Sequence, residues 1–111
     1  MNFTDLRGTW HHSGEHASAL DQYKLERGIF FDGSSIAGWK DINESDMVLK
    51  PDITKVAIDP FSAQRTLKVF CDVYDPDTQK PYNRDPRSIA RAAERHVKAS
   101  GLADTAYFGP E

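Results

Sequence analysis

A single well-bounded helix does most to constrain the fold of this chain. Asp85 can cap free backbone amides, and Pro86 suits the first helical position because its nitrogen carries no hydrogen. Gly101 can end the helix in a left-handed conformation. An apolar stripe at helical spacing lies between them, made of Ile89, Ala92, Ala93, His96 and Val97. The sequence therefore predicts one main helix over about residues 86–100.

Several other segments favour strands. Residues 66–74 alternate apolar and polar side chains most cleanly. Further predicted strands are residues 2–6, 9–12, 47–49, 54–59 and 105–108. A weaker helical pattern covers residues 17–26. Several strands with one good helix predict an α+β fold, in which a sheet has the helix packed on one face.

Composition excludes several classes of protein. A chain of 111 residues suits one domain, and its net charge of −3 is not accompanied by the clustered Lys and Arg of a nucleic-acid surface. No apolar run is long enough to span a bilayer. The lone cysteine, Cys71, cannot form an internal disulfide, so the cytoplasm is the expected compartment. Its position on the apolar face of a strand predicts a small core residue rather than a nucleophile.

Residues 30–47 form the most unusual stretch, FFDGSSIAGWKDINESDM. Asp32-Gly33 is a turn signal, and a solvated turn is the simpler interpretation. The same stretch holds four carboxylates flanked by large apolar side chains. Those side chains must be buried by the domain's own small core or by another subunit. In the second case, the carboxylates could bind a cation.

The histidines near the N-terminal end carry a weaker signal. His12 and His16 are four residues apart, which would suit a metal site only on a helix. The β pattern of residues 9–12 and Gly14 argue against a helix there. The sequence therefore favours no metal site at this place.

The 30–47 stretch also resembles a known family. FDGSSIAGWKDINESDMVLKPD is similar to the signature of class I glutamine synthetase, near its N-terminus. The resemblance continues in the same order through IDPF, CDVYDPDT, YNRDPRSIARAAE and GLADTAYFGPE. NFTDLRG resembles the family's first hairpin, whereas residues 9–27 match less closely.

The resemblance implies a fold and an activity. Residues 1–111 would be one domain, the N-terminal β-grasp of glutamine synthetase, with a mixed sheet, truncated at both ends and lacking the C-terminal catalytic domain. The enzyme joins ammonia to glutamate with ATP, through a γ-glutamyl phosphate. It is a homo-oligomer, a dodecamer of two hexameric rings, whose active sites lie between subunits. No nucleic acid or membrane partner is implied.

The resemblance also assigns site residues. Asp32 and Ser35 match the aspartate and second serine that reach into a neighbouring subunit's active site, near the ammonium position. Asp46 and Trp39 match a loop aspartate and an aromatic close to the same interface. Glu111 matches a ligand of the Mg²⁺ or Mn²⁺ that bridges the nucleotide phosphates.

Two functions follow as alternatives. The isolated chain is expected to be inactive and to bind no cofactor tightly, because in the family most of the ATP and glutamate site lies in the C-terminal catalytic domain. The alternative is a stand-alone β-grasp module that binds other proteins or modulates assembly of the synthetase. Only the first alternative needs Asp32 and Ser35 as such.

Overall fold

The computed structural model describes residues 1–40 and 44–109. The strands are β1 (Asn2–Thr4), β2 (Trp10–His12), β3 (Ile29–Asp32), β4 (Asp46–Ile58) and β5 (Leu67–Tyr74). The helices are α1 (Gln22–Arg27) and α2 (Pro86–Ser100), with single 3₁₀ turns at Ala17–Ala19 and Gly33–Ser35.

The five strands form one mixed sheet in the order β2-β1-β5-β4-β3. β1 runs parallel to β5, whereas the other neighbours are antiparallel. The predicted hairpin of β1 and β2 is confirmed, and Gly8 makes its turn with a φ of 78°. The α+β prediction, with a mixed sheet and one main helix, is also confirmed.

β4 is longer than the sequence predicted. The predicted strands at 47–49 and 54–59 are parts of one strand, which pairs with β5 on both sides of an irregularity between Pro51 and Val56. Pro51-Asp52 favours the end of a strand, because proline lacks a backbone donor. The irregularity lets the strand continue past it, since pairing resumes at Val56 in a shifted register.

The hydrophobic core is covered by the segment that follows β3, not by α2. Its buried members are Phe3, Ile36, Trp39, Met47, Leu49, Cys71, Val73 and Tyr82. Cys71 is confirmed as a small core residue, and burial raises the pKa of its thiol to about 11. A thiol with so high a pKa is largely protonated and a poor nucleophile at neutral pH.

α2 begins and ends as predicted. The Asp85 carboxylate accepts hydrogen bonds from the amides of Arg87 and Ser88, and Gly101 ends the helix in the left-handed conformation. The helix contacts the sheet through ion pairs of Arg87 and Arg91 with Asp52 and Asp72, at 2.8–3.0 Å. None of its residues is buried, so the apolar stripe does not contribute to the core.

Three further elements differ from the sequence prediction. α1 covers only Gln22–Arg27 of the predicted 17–26 segment. β3 was not predicted, because its residues Ile29–Asp32 do not alternate cleanly. Residues 105–108 are not a strand, because they form no ladder with a described strand. No helix within the described residues is long and apolar enough to cross a bilayer.

Candidate functional site

The DGSS turn lies at the end of β3, where that strand leaves the sheet. Asp32 is the last residue of β3 and pairs in register with Asp46, the first residue of β4. The Gly33 amide donates to the Ser45 carbonyl at 2.7 Å, which holds the start of the turn against the residue that precedes β4. The turn is therefore placed by the sheet itself.

Gly33 allows this close approach. A Cβ at this position would lie 2.5 Å from Met47 Cγ and 3.0 Å from the Ser45 carbonyl oxygen. Met47 is fully buried and cannot move away freely. A larger residue at position 33 would therefore displace the turn.

The Asp32 carboxylate is exposed and is held by Ser34. The Ser34 amide and hydroxyl both donate to its Oδ1, at 2.9 and 2.7 Å. These bonds, the hydroxyl first, hold the pKa of Asp32 below its ordinary value. The side chain is thus a fixed negative charge at neutral pH.

Ser35 and Asp46 lie beside this charge. The Ser35 hydroxyl donates to the Asp32 carbonyl at 2.7 Å, and both Ser35 and Asp46 are exposed. Side chains that face each other across antiparallel strands have Cβ atoms about 5 Å apart. Asp32 and Asp46 therefore place two carboxylates on one side of the sheet edge, which favours a small cation over an anion.

Trp39 lies in the core behind the DGSS turn. Its side chain is only 4% exposed and packs against Phe3, Phe31 and Tyr82. Trp39 is therefore a core residue that supports the DGSS turn from within, and it does not present a free ring to a ligand. Ile36 and Met47 are likewise buried by the domain's own core rather than by another subunit.

The structure adds Ser34, which the sequence analysis did not single out. Its role was readable in principle, because a serine two residues after an aspartate can bond back to that carboxylate. The resemblance assigns a site role to Ser35, the second serine of DGSS. In the structure it is Ser34, the first serine, that donates hydrogen bonds to the Asp32 carboxylate.

The position of the expected metal ligand is not among those that the structure describes. Glu111 lies outside the described residues, and within the described part of the chain no group of three or more His, Cys, Asp or Glu could hold a metal ion. Two of the histidines have other partners: His11 Nε2 lies 3.0 Å from Asp5 Oδ2, and His16 Nδ1 lies 2.7 Å from Ser18 Oγ.

Several known proteins are similar to this chain. It is 60% identical over all 111 residues to a glutamine synthetase of Azospirillum brasilense, and 51% identical to one of Salmonella typhimurium. In each case it covers 24% of the relative's length. The solved structure of Plasmodium falciparum glutamine synthetase matches 90% of this chain and 19% of that protein, at 28% identity and a TM-score of 0.81.

The chain thus spans about a quarter of the length of the curated relatives it matches. A family model, described as the β-grasp domain of glutamine synthetase, matches residues 1–76. Those residues include all five strands of the sheet and the DGSS turn. The chain belongs to the glutamine synthetase β-grasp domain family.

Proposed function

We propose that this chain is the N-terminal domain of a glutamine synthetase, which ligates ammonia to glutamate with ATP. The family membership and the 60% identity to the A. brasilense enzyme over the whole chain support the proposal. In it, the chain works as part of a longer protein and closes an active site that another subunit largely supplies.

The observation that carries this role is the exposed, ionised carboxylate of Asp32 on a tightly placed turn. Ammonium is held by nearby negative charge and must lose a proton before it can attack. Asp32 can attract the cation and can accept its proton. Ser35 and Asp46, exposed at the same sheet edge, would complete the ammonium side of the site.

The other reactants belong to the rest of the enzyme. ATP and Mg²⁺ or Mn²⁺ would bind mainly to the longer protein, where Glu111 would provide one metal ligand. The protein would assemble as a dodecamer of two hexameric rings in the cytoplasm. The isolated chain would neither bind these cofactors tightly nor form glutamine.

A second function is favoured by one observation. The outer half of the β4–β5 hairpin exposes large apolar side chains, namely Ile53, Val56, Ile58, Phe61 and Leu67. Such a patch suits contact with another protein surface. A stand-alone interaction module or assembly modulator would use this patch and would not depend on Asp32.

A chimeric enzyme tests the proposal. The corresponding 111 residues of the A. brasilense glutamine synthetase are replaced by this chain, and glutamine formation is measured. We expect activity, and we expect Asp32→Ala to raise the KM for ammonium about tenfold to hundredfold, because a hydrogen bond to a charged group contributes about 1.5–3 kcal/mol. The KM for ATP should change little.

Asp77→Ala is the matched control, since Asp77 is an exposed carboxylate on the turn after β5. It should leave both constants unchanged. An Asp32→Ala chimera with normal ammonium kinetics would overturn the role of Asp32. Appreciable ATP-dependent glutamine formation by the isolated chain would overturn the dependence on a longer protein.

A further inference from the structure

The segment that follows the DGSS turn is held from behind by residues far along the chain. Tyr82 donates its hydroxyl to the Trp39 carbonyl at 2.6 Å, and the two rings pack with centroids 5.4 Å apart. Both residues are buried. A carbonyl buried in this way depends on its donor, because no solvent replaces a lost bond.

Two further contacts hold the neighbouring residues. Arg84 donates to the Gly38 carbonyl, and Lys40 Nζ lies 3.1 Å from Asp75 Oδ2. The hydrogen bond from Lys40 to Asp75 raises the pKa of Lys40. The Thr78 amide first, and then Lys40, lower the pKa of Asp75, so the pair is ionised at neutral pH. Three consecutive residues, 38–40, are thus each fixed to the 75–84 region.

Tyr82 and Arg84 are themselves attached to the sheet and the helix. The Tyr82 amide donates to the Val73 carbonyl at 2.8 Å. Asp85, which is 1% exposed, accepts from the Val73 amide at 3.3 Å while it caps α2. The contacts at residues 38–40 therefore connect the segment to the central strand β5.

A continuous path of hydrogen bonds leads from these contacts to the DGSS turn. The Trp39 amide donates to the Ile36 carbonyl, and the Ile36 amide donates to the Gly33 carbonyl, both at 3.1 Å. The Gly33 amide in turn bonds to β4. A shift at residues 38–39 is therefore passed to the turn that carries Asp32 and Ser35.

We propose that Tyr82 and Arg84 are positioning residues for Asp32 and Ser35 in the ammonium site. This inference rests on the function proposed above. Neither side chain touches the site; each acts through a carbonyl of residues 38–39. Small misplacement of a reacting group is costly in enzymes, so the loss of these bonds weakens the use of ammonium without changing ATP binding.

The test uses Tyr82→Phe and Arg84→Ala in the same chimeric enzyme. We expect each to raise the KM for ammonium about threefold to tenfold and the double variant more, with the KM for ATP unchanged, because each removes one hydrogen bond that holds a carbonyl of residues 38–39. Arg84→Lys, which keeps a donor near Gly38, should restore part of the loss. In the 111-residue chain, hydrogen exchange at the Ile36 and Trp39 amides should be faster in Tyr82→Phe.

Asp5→Asn is the control for general destabilisation. Asp5 is buried and bonds to the Arg7 and Thr9 amides and to His11 in the β1–β2 hairpin, and none of these bonds involves residues 38–40. It should lower stability without a selective rise in the KM for ammonium. Equal effects of Tyr82→Phe and Asp5→Asn on that constant would overturn the positioning role.

The Asp32→Ala chimera separates this inference from the function on which it rests. If Asp32→Ala impairs the use of ammonium and Tyr82→Phe and Arg84→Ala do not, the positioning role is wrong and the proposed function stands. If Asp32→Ala has no effect, the proposed role of Asp32 in the ammonium site is wrong, and the positioning role that depends on it is wrong as well.

Discussion

Two aspartates of this chain form the same local hydrogen-bond motif, in which the carboxylate bonds to a Ser or Thr two residues later, but their surroundings differ. Asp32 Oδ1 accepts from the Ser34 amide at 2.9 Å and from the Ser34 hydroxyl at 2.7 Å. Asp52 Oδ1 accepts from the Thr54 amide at 3.1 Å and from the Thr54 hydroxyl at 2.6 Å. In both, the hydroxyl is the main cause of a lowered pKa.

The surroundings of the two carboxylates differ. Asp52 Oδ2 lies 2.8 Å from Arg87 and 3.0 Å from Arg91, so its charge is neutralised and fixes α2 to β4. Asp32 forms no ion pair with any described residue and is exposed. The local motif alone does not determine function: at Asp52, within β4, it is structural, and at Asp32 it leaves a charge available to a ligand.

Gly33 and Ile53, which each follow one of the two aspartates, give the largest expected contrast. Gly33→Ala places a methyl group 2.5 Å from Met47 Cγ, and overpacking of this kind costs about 1–3 kcal/mol. Ile53→Ala, at the equivalent position, removes a side chain that is 68% exposed and should change stability by less than about 0.5 kcal/mol. Denaturant unfolding of the 111-residue chain measures both.

Equal stability of the two variants would mean that the Asp32 turn is not held against β4 as described. The same two substitutions in the chimeric enzyme separate an effect on stability from an effect on the position of the DGSS turn. Gly33→Ala should also raise the KM for ammonium, whereas Ile53→Ala should not.

The ion pairs give the next contrast. Arg87→Ala removes one of the two arginines that neutralise Asp52 and Asp72, and it should lower the free energy of unfolding by about 1–2 kcal/mol, between the values for exposed and for buried pairs. Arg95→Ala, an exposed position further along α2, is the control and should have little effect. Asp32→Ala should lower the free energy of unfolding by less than Arg87→Ala does, because Asp32 accepts hydrogen bonds from Ser34 but forms no ion pair with a described residue.

If Asp32→Ala unfolds as readily as Arg87→Ala, the carboxylate of Asp32 is structural after all. Asp32 would then serve the fold as Asp52 does, and its exposed charge would not be available to a ligand.

The parts of the fold that could be predicted are those with local causes. Asp85, Pro86 and Gly101 mark the ends of α2 through the chemistry of their own side chains and backbones, so its bounds were correct. The strand β3 and the uninterrupted β4 depend on partners distant in sequence, which local patterns do not reveal. The predicted strand at 105–108 failed for the same reason, because alternation without a partner makes no sheet.

The site divides in the same way. The turn at Asp32 was readable from Asp32-Gly33, but its position opposite Asp46 required the register of β3 and β4. Trp39 was placed close to the subunit interface by the resemblance alone, and the apolar side chains of its loop left open whether the domain's own core buries them. Its burial depends on contacts with Phe3 and Tyr82, which are too distant in sequence for a local pattern to reveal.

The smallest expected contrast concerns the two hydroxyls. Ser34→Ala removes the largest cause of the lowered pKa of Asp32, and Thr54→Ala does the same for Asp52. Both pKa values should rise toward the ordinary 3.8, and that of Asp52 should remain further below it because Arg87 still stabilises the ionised form. NMR titration that follows the side-chain carboxyl carbons measures both pKa values. Ser62→Ala is the control, because the Ser62 hydroxyl contacts Asp59 and neither of these two aspartates.

The same shifts fix the direction of the pH dependence. A carboxyl whose pKa is lower in the folded chain than the ordinary 3.8 contributes stability above that value and loses it as the pH falls through the folded pKa. On the acid side, the chain should therefore lose stability below about pH 4, with a shallower loss in Asp52→Asn, which has no charge to protonate. If Ser34→Ala instead left the pKa of Asp32 unchanged, the Ser34 hydroxyl would not stabilise that carboxylate, and the local motifs at Asp32 and Asp52 would not be equivalent.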